Sequence, residues 1–367
     1  MCDVFTTVSE ITSLQVQYFL KKKPNLLLYN GLNICDYPTF EQISVDHVLY
    51  REKIKEFLEY YFFPYYSFDL DNTLIYFTTG RYEFHNKGFD IFIEALSKLN
   101  RRLKMDNSKK TIVAFFWVPR DTIRIKPEIT HNKTYFDDLK ETVENDLSNI
   151  KNRIIRNLIS RKPISTHNIF SDKILFETKK KVLRFLKEGN PPLCTHDLSD
   201  EDNDPILSHF KKYDLLNRKE DKVKVIFYPI YLTGADGLLD LNYNEAIIGS
   251  HLGVFPSYYE PWGYTPLETA ALGIASVTTD YSGFARYLLK DKGKLDGGIF
   301  IINMFNESWD KKVENLYECL YRFSKFNVNE RVDNKVKAYT TASLMDWKIL
   351  IENYIMAHNM AIDKVYK

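Results

Sequence analysis

The sequence predicts an α/β protein, a doubly wound parallel sheet covered by helices on both faces. Six near-continuous apolar runs rich in β-branched and aromatic residues are typical of strands buried on both sides. Helical patterns separate these runs, and polar loops containing glycine follow several of them. Strands alternating with helices form a parallel sheet that binds ligands at the carboxyl ends of its strands. The predicted strands are residues 73–79, 111–118, 222–227, 252–255, 275–279 and 298–302.

The first 33 residues have the pattern of the last structural unit of a larger domain. A helix over 8–23 begins at Thr7 and Glu10, whose spacing fits a capping box. Pro24 ends it, and a short strand over 26–29 and a turn over 30–33 follow. One helix and one short strand do not make a domain, so we expect residues 1–33 to be a remnant of an N-terminal domain and its hinge.

The sheet domain is predicted in two parts, residues 34–134 and 191–340, with a helical insertion between them. The first part holds helices over 45–61 and 89–103. In the insertion, 135–190, apolar residues recur at helical spacing over 136–158, which predicts one long helix or a short coiled coil, and a second helix covers 174–186. We expect this insertion to be an oligomer contact. The acidic run 197–204 reads as a solvated loop.

The second part of the sheet domain is predicted to carry short helices between its strands. A helix over 243–248 precedes the strand at 252–255, and a polar loop over 280–284 follows the strand at 275–279. Helices over 309–323 and 335–356 end the chain, with residues 341–367 assigned to a C-terminal helix.

Composition limits the partners and the compartment. The net charge of +1 favours neither a nucleic acid nor a membrane surface as a partner. The four cysteines are scattered without a C-x-x-C pair, so we expect neither a zinc ribbon nor a disulfide framework, and a reducing, cytoplasmic location fits. Residues 1–20 lack the pattern of a signal peptide, and no apolar stretch approaches eighteen residues.

The segment 257–268 is the strongest candidate site. It joins a predicted strand to a predicted helix over 267–272, with Thr265 as N-cap and Pro266 at the first helical position. Free backbone N–H groups and the helix dipole can receive an anion such as a diphosphate there, with Glu260 beside it. The alternative is a turn that the chain needs merely to reverse direction, but four large aromatic residues surround Glu260.

The loop 80–88 is the second candidate. Arg81 and Lys87 lie in one glycine-bounded loop at the carboxyl end of a strand, where both can converge on a phosphate. Taken alone, the favoured alternative is a pair of surface cations beside Glu83.

Longer motifs identify a family resemblance. Arg81 to Gly88 is similar to Arg-Tyr-Glu-Phe-x-Asn-Lys-Gly, and 251–268 to His-Leu-Gly-Val-Phe-Pro-Ser-Tyr-Tyr-Glu-Pro-Trp-Gly-Tyr-Thr-Pro-x-Glu, segments of the eukaryotic-type glycogen synthases. Val4 to Ser9 and Asn30 to Asn33 resemble the end of that family's N-terminal domain. The resemblance implies the C-terminal Rossmann-like half of a GT-B glycosyltransferase, without most of the N-terminal domain.

The resemblance also implies a reaction and site residues. Glucose would pass from UDP-glucose to the non-reducing end of an α-1,4-glucan with retained configuration, and neither a metal nor another cofactor is implied. The implied catalytic residues are Glu260 facing the transferred glucose and Arg81 and Lys87 on the leaving diphosphate. The implied substrate-binding residues are Tyr243 stacked on uracil, His251, Trp262, Gly263, Tyr264 and Thr265 at the phosphates, and Glu268 on the ribose.

Two departures from the family pattern shape the expectations. The family's N-terminal domain carries a glycine-rich loop and an arginine that this chain does not show, so we expect the chain alone to bind UDP but to transfer glucose poorly. A homo-oligomer or a partner supplying that domain is then expected. The family's arginine cluster for glucose 6-phosphate maps in part onto Arg331, Lys335 and Lys337, and we interpret these three residues as cations on a solvated helix face.

The main alternative to an enzyme is a non-catalytic subunit. It would bind a UDP-sugar or regulate a full-length synthase, docking through the helices of 135–190. A third possibility is a degenerate fragment that does not fold alone.

Overall fold

A six-stranded parallel sheet forms the centre of the computed structural model, which describes residues 3–290 and 297–366. Two smaller sheets flank it, a parallel pair of β1 and β2 and an antiparallel pair of β5 and β6. The strands are β1 Thr6–Thr7, β2 Leu26–Leu27, β3 Thr73–Thr79, β4 Thr111–Trp117, β5 Thr122–Ile125, β6 His196–Leu198, β7 Val223–Tyr228, β8 Leu252–Val254, β9 Ala275–Thr279 and β10 Ile299–Ile302.

Helices cover both faces of the central sheet and form the insertion and the C-terminal region. They are α1 Glu10–Leu20, α2 Phe40–Phe62, α3 Phe89–Met105, α4 Pro127–Asn145, α5 Leu147–Ile159, α6 Thr166–Ile169, α7 Asp172–Phe185, α8 Pro205–Lys212, α9 Tyr243–Ile248, α10 Tyr264–Ala271, α11 Gly283–Lys290, α12 Trp309–Lys325, α13 Val328–Ser343 and α14 Trp347–Tyr366.

The order of the central strands is β10-β9-β8-β3-β4-β7. Counted along the chain this is the doubly wound order 3-2-1-4-5-6, so the predicted fold class is confirmed. The chain reverses direction across the sheet between β3 and β8, which pair in parallel through Tyr76 and Leu252. A crevice opens at this switch point, outside the carboxyl ends of the two strands.

Two hydrophobic cores fix the sheet between its helix layers. Successive strand residues point to opposite faces. Tyr76 accordingly packs into the core beneath α3 and α12, and its neighbour Phe77 into the core beneath α2 and α9. Both side chains are fully buried. A strand between two such layers must be apolar throughout, which explains the unbroken runs that identified β3 and β4.

The predicted insertion helix is divided in two. α4 begins earlier than predicted, at Pro127, and ends at Asn145, and α5 starts at Leu147. At the junction the Asn149 side chain donates to the Asp146 carboxylate at 2.5 Å. Such local side-chain bonding competes with the helix.

The predicted helix 335–356 is also divided, here by a tertiary contact. The Leu32 N–H donates to the Met345 carbonyl at 2.9 Å, and the Trp347 N–H donates to the Leu32 carbonyl at 2.9 Å. These bonds separate α13 from α14. Gly31 allows the approach, because a Cβ there would lie 3.0 Å from the Met345 carbonyl oxygen. The segment 1–33 is therefore joined to the C-terminal helices through its main chain.

The N-terminal capping prediction is wrong in its residues. Ser9, not Thr7, caps α1, and Thr12 completes the capping box. Glu10 instead forms an ion pair with Arg286 of α11 at 3.0 Å. This pair holds α1 against α11, whose first two residues, Gly283 and Phe284, were predicted to lie in a polar loop.

The acidic run 197–204 is not simply solvated. Asp197 lies in β6 and pairs with Arg124 at 2.9 Å, and Asp204 is fully buried as the N-cap of α8. The sequence reading missed α8, because the carboxylates of the run suggested solvent. None of the helices in the described ranges is long and apolar enough to cross a membrane.

Candidate functional site

Two loops meet at the switch point, one after β3 and one after β8. The Lys87 ammonium donates to the Glu260 carboxylate at 2.6 Å. Only 15% of the lysine side chain and 27% of the glutamate side chain are exposed. The structure thus brings together a cation and a carboxylate that are 173 residues apart in the sequence.

A small pocket surrounds this pair. Its wall is completed by the start of α10 and by polar residues at the ends of neighbouring strands. The lining residues are Thr78, Thr79, Lys87, Phe255, Ser257, Glu260, Gly263, Thr265, Pro266, Thr278 and Ser282. The pocket therefore combines positive charge, negative charge and a helix start.

The helix starts two residues earlier than the prediction. Gly263 is the N-cap with φ of 105°, so α10 begins at Tyr264 and Pro266 falls within its first turn. The first-turn N–H groups of Tyr264 and Thr265 have no partner inside the helix. Their dipoles favour an anion at the pocket.

The geometry of the two loops depends on Gly88. Its φ is 70°, and a Cβ on it would overlap the Pro256 carbonyl. The Tyr258 N–H donates to the Asn86 carbonyl at 2.9 Å beside this contact. The loop that carries Lys87 is therefore packed directly against the loop that carries Glu260.

A third loop, after β9, holds the Glu260 turn from behind. The Gly283 N–H donates to the Glu260 carbonyl at 3.0 Å. The Thr279 hydroxyl donates to the Ser257 carbonyl, and the Ser282 hydroxyl donates to the Trp262 carbonyl, each at 2.7 Å. Sequence reasoning missed these supports, although two hydroxyl residues at the end of a strand were a visible signal.

Arg81 lies outside the pocket. Its side chain is 81% exposed and pairs with Glu83 at 3.0 Å. It lines an adjacent groove, with Thr79 shared between groove and pocket; the other lining residues are Gly80, Tyr82, Trp117, Pro119, Ile230, Tyr231, Leu232 and Tyr243. The structure thus places Lys87 and Thr265 in the pocket, and Arg81 and Tyr243 in the adjacent groove.

Tyr243 and Glu268 face each other beside this groove. Burial raises the pKa of Glu268 above its usual range, and the Tyr243 hydroxyl partly opposes this by hydrogen bonding. Burial, with the nearby Glu268 charge, also raises the pKa of Tyr243, and it raises the pKa of Tyr37 to about 12. The two tyrosines therefore stay protonated at neutral pH and can act as hydrogen-bond donors.

Two predicted substrate-binding side chains lie elsewhere. His251 is buried at the start of β8, and its Nδ1 accepts from the Ile75 N–H at 3.0 Å. The Trp262 ring is buried among Tyr29, Phe284 and Tyr287. Both predictions need correction, because these rings are packed within the protein, whereas Tyr264 is exposed at the rim of the site.

A second cationic cluster lies between α2 and α13. Burial and the charges of Arg51 and Arg331 lower the pKa of Lys335 to about 7. Burial and the same cations lower the pKa of His47 to about 3, and that of His251 also falls. In the described ranges no carboxylate forms an ion pair with Arg51, Arg331 or Lys335.

The cluster corrects the interpretation of a solvated helix face. That interpretation fails for Arg331 and Lys335, which are partly buried among other cations. It fits Lys337 better, since this residue pairs with Asp333 at 2.8 Å. Arg51 and His47 were missed because they come from α2, far away in the sequence.

A doubly wound sheet with a cation, a carboxylate and a helix start at its switch point defines the class of α/β proteins that bind a ligand outside the carboxyl ends of their strands. The family model for glycogen synthase matches residues 1–367. The chain belongs to the glycogen synthase family.

Individual relatives agree with this assignment. The chain is 38% identical to glycogen (starch) synthase isoform 1 of Saccharomyces cerevisiae, over 99% of this chain and 53% of that protein. It is 35% identical to the liver glycogen (starch) synthase of Mus musculus, over 99% of this chain and 52% of that protein. Among solved structures, Anabaena HepE in complex with UDP and glucose matches with a TM-score of 0.48 at 12% identity, over 98% of this chain and 63% of that chain. The chain spans about half the length of the curated relatives it matches.

Proposed function

We propose that this chain forms the nucleotide-sugar side of a glycogen synthase, which transfers glucose from UDP-glucose to an α-1,4-glucan with retained configuration. The observation that carries the proposal is the Lys87 to Glu260 contact of 2.6 Å in a pocket closed by a helix start. In this proposal Lys87 and the N–H groups of Tyr264 and Thr265 receive the leaving diphosphate, and Glu260 faces the glucose ring.

The charges suit that reaction. As the bond from the sugar C1 to the diphosphate oxygen breaks, positive charge develops on the ring and negative charge on the phosphate. A carboxylate on the sugar side and a cation on the phosphate side stabilise both charges at once. Since these groups and the helix start supply the field, the proposal includes no metal.

The adjacent groove is the proposed base and ribose site. Tyr243 lies there as the proposed stacking ring, with Glu268 as the ribose acceptor. Arg81 stands at the entrance, where it can exchange Glu83 for a phosphate.

Calorimetric titration tests this assignment. We expect Arg81→Ala to weaken UDP binding about 5- to 20-fold, since one exposed charge-assisted contact is lost. Uridine, which has no phosphate, should bind both proteins equally. Arg124→Ala, which removes another exposed, ion-paired arginine, is the matched control. Equal losses for UDP and uridine, or no loss for UDP, would contradict the assignment.

The non-catalytic alternative is not favoured. The family match covers the whole chain, and the yeast and mouse relatives are synthases.

We also propose the cluster of His47, Arg51, His251, Arg331 and Lys335 as a receptor for a phosphate ester, glucose 6-phosphate in the family. The concentration of Arg51, Arg331 and Lys335, none of which pairs with a carboxylate in the described ranges, supports this, since a bound dianion would relieve their mutual repulsion. Lys335 would then take up a proton when the anion binds, because the anion favours the charged form.

The pH dependence checks the receptor proposal. Folding lowers the pKa of Lys335 to about 7. Above that pH the unfolded chain binds more protons than the folded chain, so stability rises with pH. Below it Lys335 is charged in both states, and the repulsion destabilises the folded chain in full. Lys335→Met should therefore raise Tm by about 2 to 5 °C near pH 6.5 and abolish stabilisation by sulfate. In the unaltered chain, sulfate should stabilise less near pH 9 than near pH 6.5. Thermal melts with and without sulfate measure these shifts in Tm, with Lys325→Met as the control. Sulfate stabilisation that is independent of pH and of Lys335 would contradict the receptor proposal.

The helical insertion presents an exposed apolar surface through which copies of the chain can associate. Exposed apolar side chains on the insertion, among them Leu158, Ile159 and Phe176, support association of copies through α5 and α7. A monomer in sedimentation equilibrium would contradict this association.

The cysteines support a proposed cytoplasmic location. Cys35, Cys194 and Cys319 are free thiols, as is usual in a reducing compartment. Cys2 lies outside the described residues.

A further inference from the structure

Tyr82, beside Arg81, is anchored by three elements that are distant in sequence. Its hydroxyl donates to Asp204 Oδ2 at 2.6 Å. The Arg120 guanidinium lies 4.6 Å from the centre of the Tyr82 ring. Phe227 of β7 packs against the same ring, with 6.2 Å between centroids. The residue next to the exposed arginine is therefore among the best fixed in the loop.

The Asp204 carboxylate contacts Tyr82 inside the protein and does not face solvent. It is fully buried, and its two oxygens have separate partners. Oδ1 accepts from the Leu207 N–H at 3.0 Å and caps α8, whereas Oδ2 receives the Tyr82 hydroxyl. Arg120 Nε lies 3.8 Å from Oδ2 and adds a compensating charge. A buried carboxylate persists only with such compensation.

The anchored side chain lines the groove that also holds Arg81 and Tyr243. Among the residues that the structure describes, Arg81 pairs with Glu83 alone, and its side chain is largely exposed. Its direction therefore depends on its backbone. The adjacent Cα of Tyr82 is fixed by the ring and hydroxyl contacts, so the loop cannot rotate without breaking the bond to Asp204.

We propose that Asp204 is a positioning residue for the diphosphate site: it fixes Tyr82, and through Tyr82 it sets the direction in which Arg81 leaves the loop. This inference rests on the proposed function, and it adds a residue that touches no substrate. Preorganisation of this kind lowers the entropy lost when a flexible cation binds a ligand.

A double-mutant cycle tests the inference by calorimetry with UDP and uridine. Tyr82→Phe keeps the ring and removes the hydroxyl, with its bond to Asp204 and the longer 3.4 Å bond that it accepts from the Ile206 N–H. We expect it to weaken UDP binding about fivefold and to leave uridine binding unchanged. In the Arg81→Ala background the same substitution should have no further effect, because Tyr82 acts through Arg81. Asp204→Asn retains a capping oxygen for α8 and should reproduce the loss.

Tyr66→Phe is the matched control. It removes another buried tyrosine hydroxyl bond, to the Asn217 carbonyl, near the amino ends of the strands. It should not change UDP binding. Unchanged UDP affinity in Tyr82→Phe, a loss that persists with Arg81→Ala, or an equal loss in Tyr66→Phe overturns the inference. If the unaltered chain binds no UDP, the proposed function itself fails and the role of Asp204 falls with it, whereas the other outcomes leave that function standing.

Discussion

Replacing Lys87 by alanine is expected to cause the largest loss of UDP binding of any single substitution in this chain. The pocket would lose its cation, and the Glu260 carboxylate would remain without its partner, facing the diphosphate. Removing one member of a desolvated charge pair costs about 2 to 4 kcal/mol of binding free energy, or roughly 30- to 1000-fold in Kd. Calorimetric titration of the purified chain measures it.

Two further variants separate charge loss from general damage. Lys98→Ala breaks a comparable lysine to glutamate pair, 3.0 Å from Glu314, on a helix away from the pocket. It should leave UDP affinity unchanged. Adding Glu260→Gln to Lys87→Ala should restore part of the lost affinity, because the repelling carboxylate is gone. A threefold change or less in Lys87→Ala would refute a diphosphate role for the lysine.

The substitution Gly88→Ala is expected to destabilise the fold by about 3 to 5 kcal/mol. Alanine at φ of 70° is strained, and its Cβ would overlap the Pro256 carbonyl, a main-chain atom that cannot rotate away. The two loops of the pocket would have to separate. Urea unfolding followed by tryptophan fluorescence measures the free energy of unfolding.

Gly189→Ala separates the cost of backbone strain from the cost of the steric overlap with Pro256. Gly189 also has a positive φ, 96°, but a Cβ there would meet no atom within 4 Å. Its replacement should cost only about 1 kcal/mol, which represents backbone strain alone. If both alanine variants are equally stable, the contact between Gly88 and Pro256 has no energetic importance.

The sequence was most informative where one chemical demand dominated. β3 and the short helix α9 have the predicted bounds, because a doubly covered strand must be apolar throughout and α9 carries a capping box at Asn242 and Glu245. The loops at the strand ends were found because residues such as Lys87 and Glu260 stand between strong strand and helix signals. The meeting of these two side chains follows from the strand order, which no local pattern encodes.

Other features depend on contacts between distant parts of the chain. Helices α13 and α14 form one periodic pattern, and the bonds from Leu32 divide them, together with the Asp346 carboxylate that accepts from the Lys348 N–H. His251 sits in the most specific motif, yet its ring turns away from the pocket, since motif letters do not give side-chain direction. Asp204 looked solvated because its neighbours are acidic, and its burial depends on Tyr82 and Arg120 arriving from other loops.

The junction of Leu32 with Met345 and Trp347 has a consequence for how such chains diverge. Both hydrogen bonds use main-chain atoms, so substitutions at these three residues keep the bonds, although the buried side chains of Leu32 and Met345 must stay apolar. Gly31 is restricted by its lack of a side chain, since three atoms of Met345 and Trp347 lie 3.0 Å from the place of a Cβ. Selection would therefore leave a glycine followed by an apolar residue as the visible record of an attachment between the segment before α2 and the helices α13 and α14.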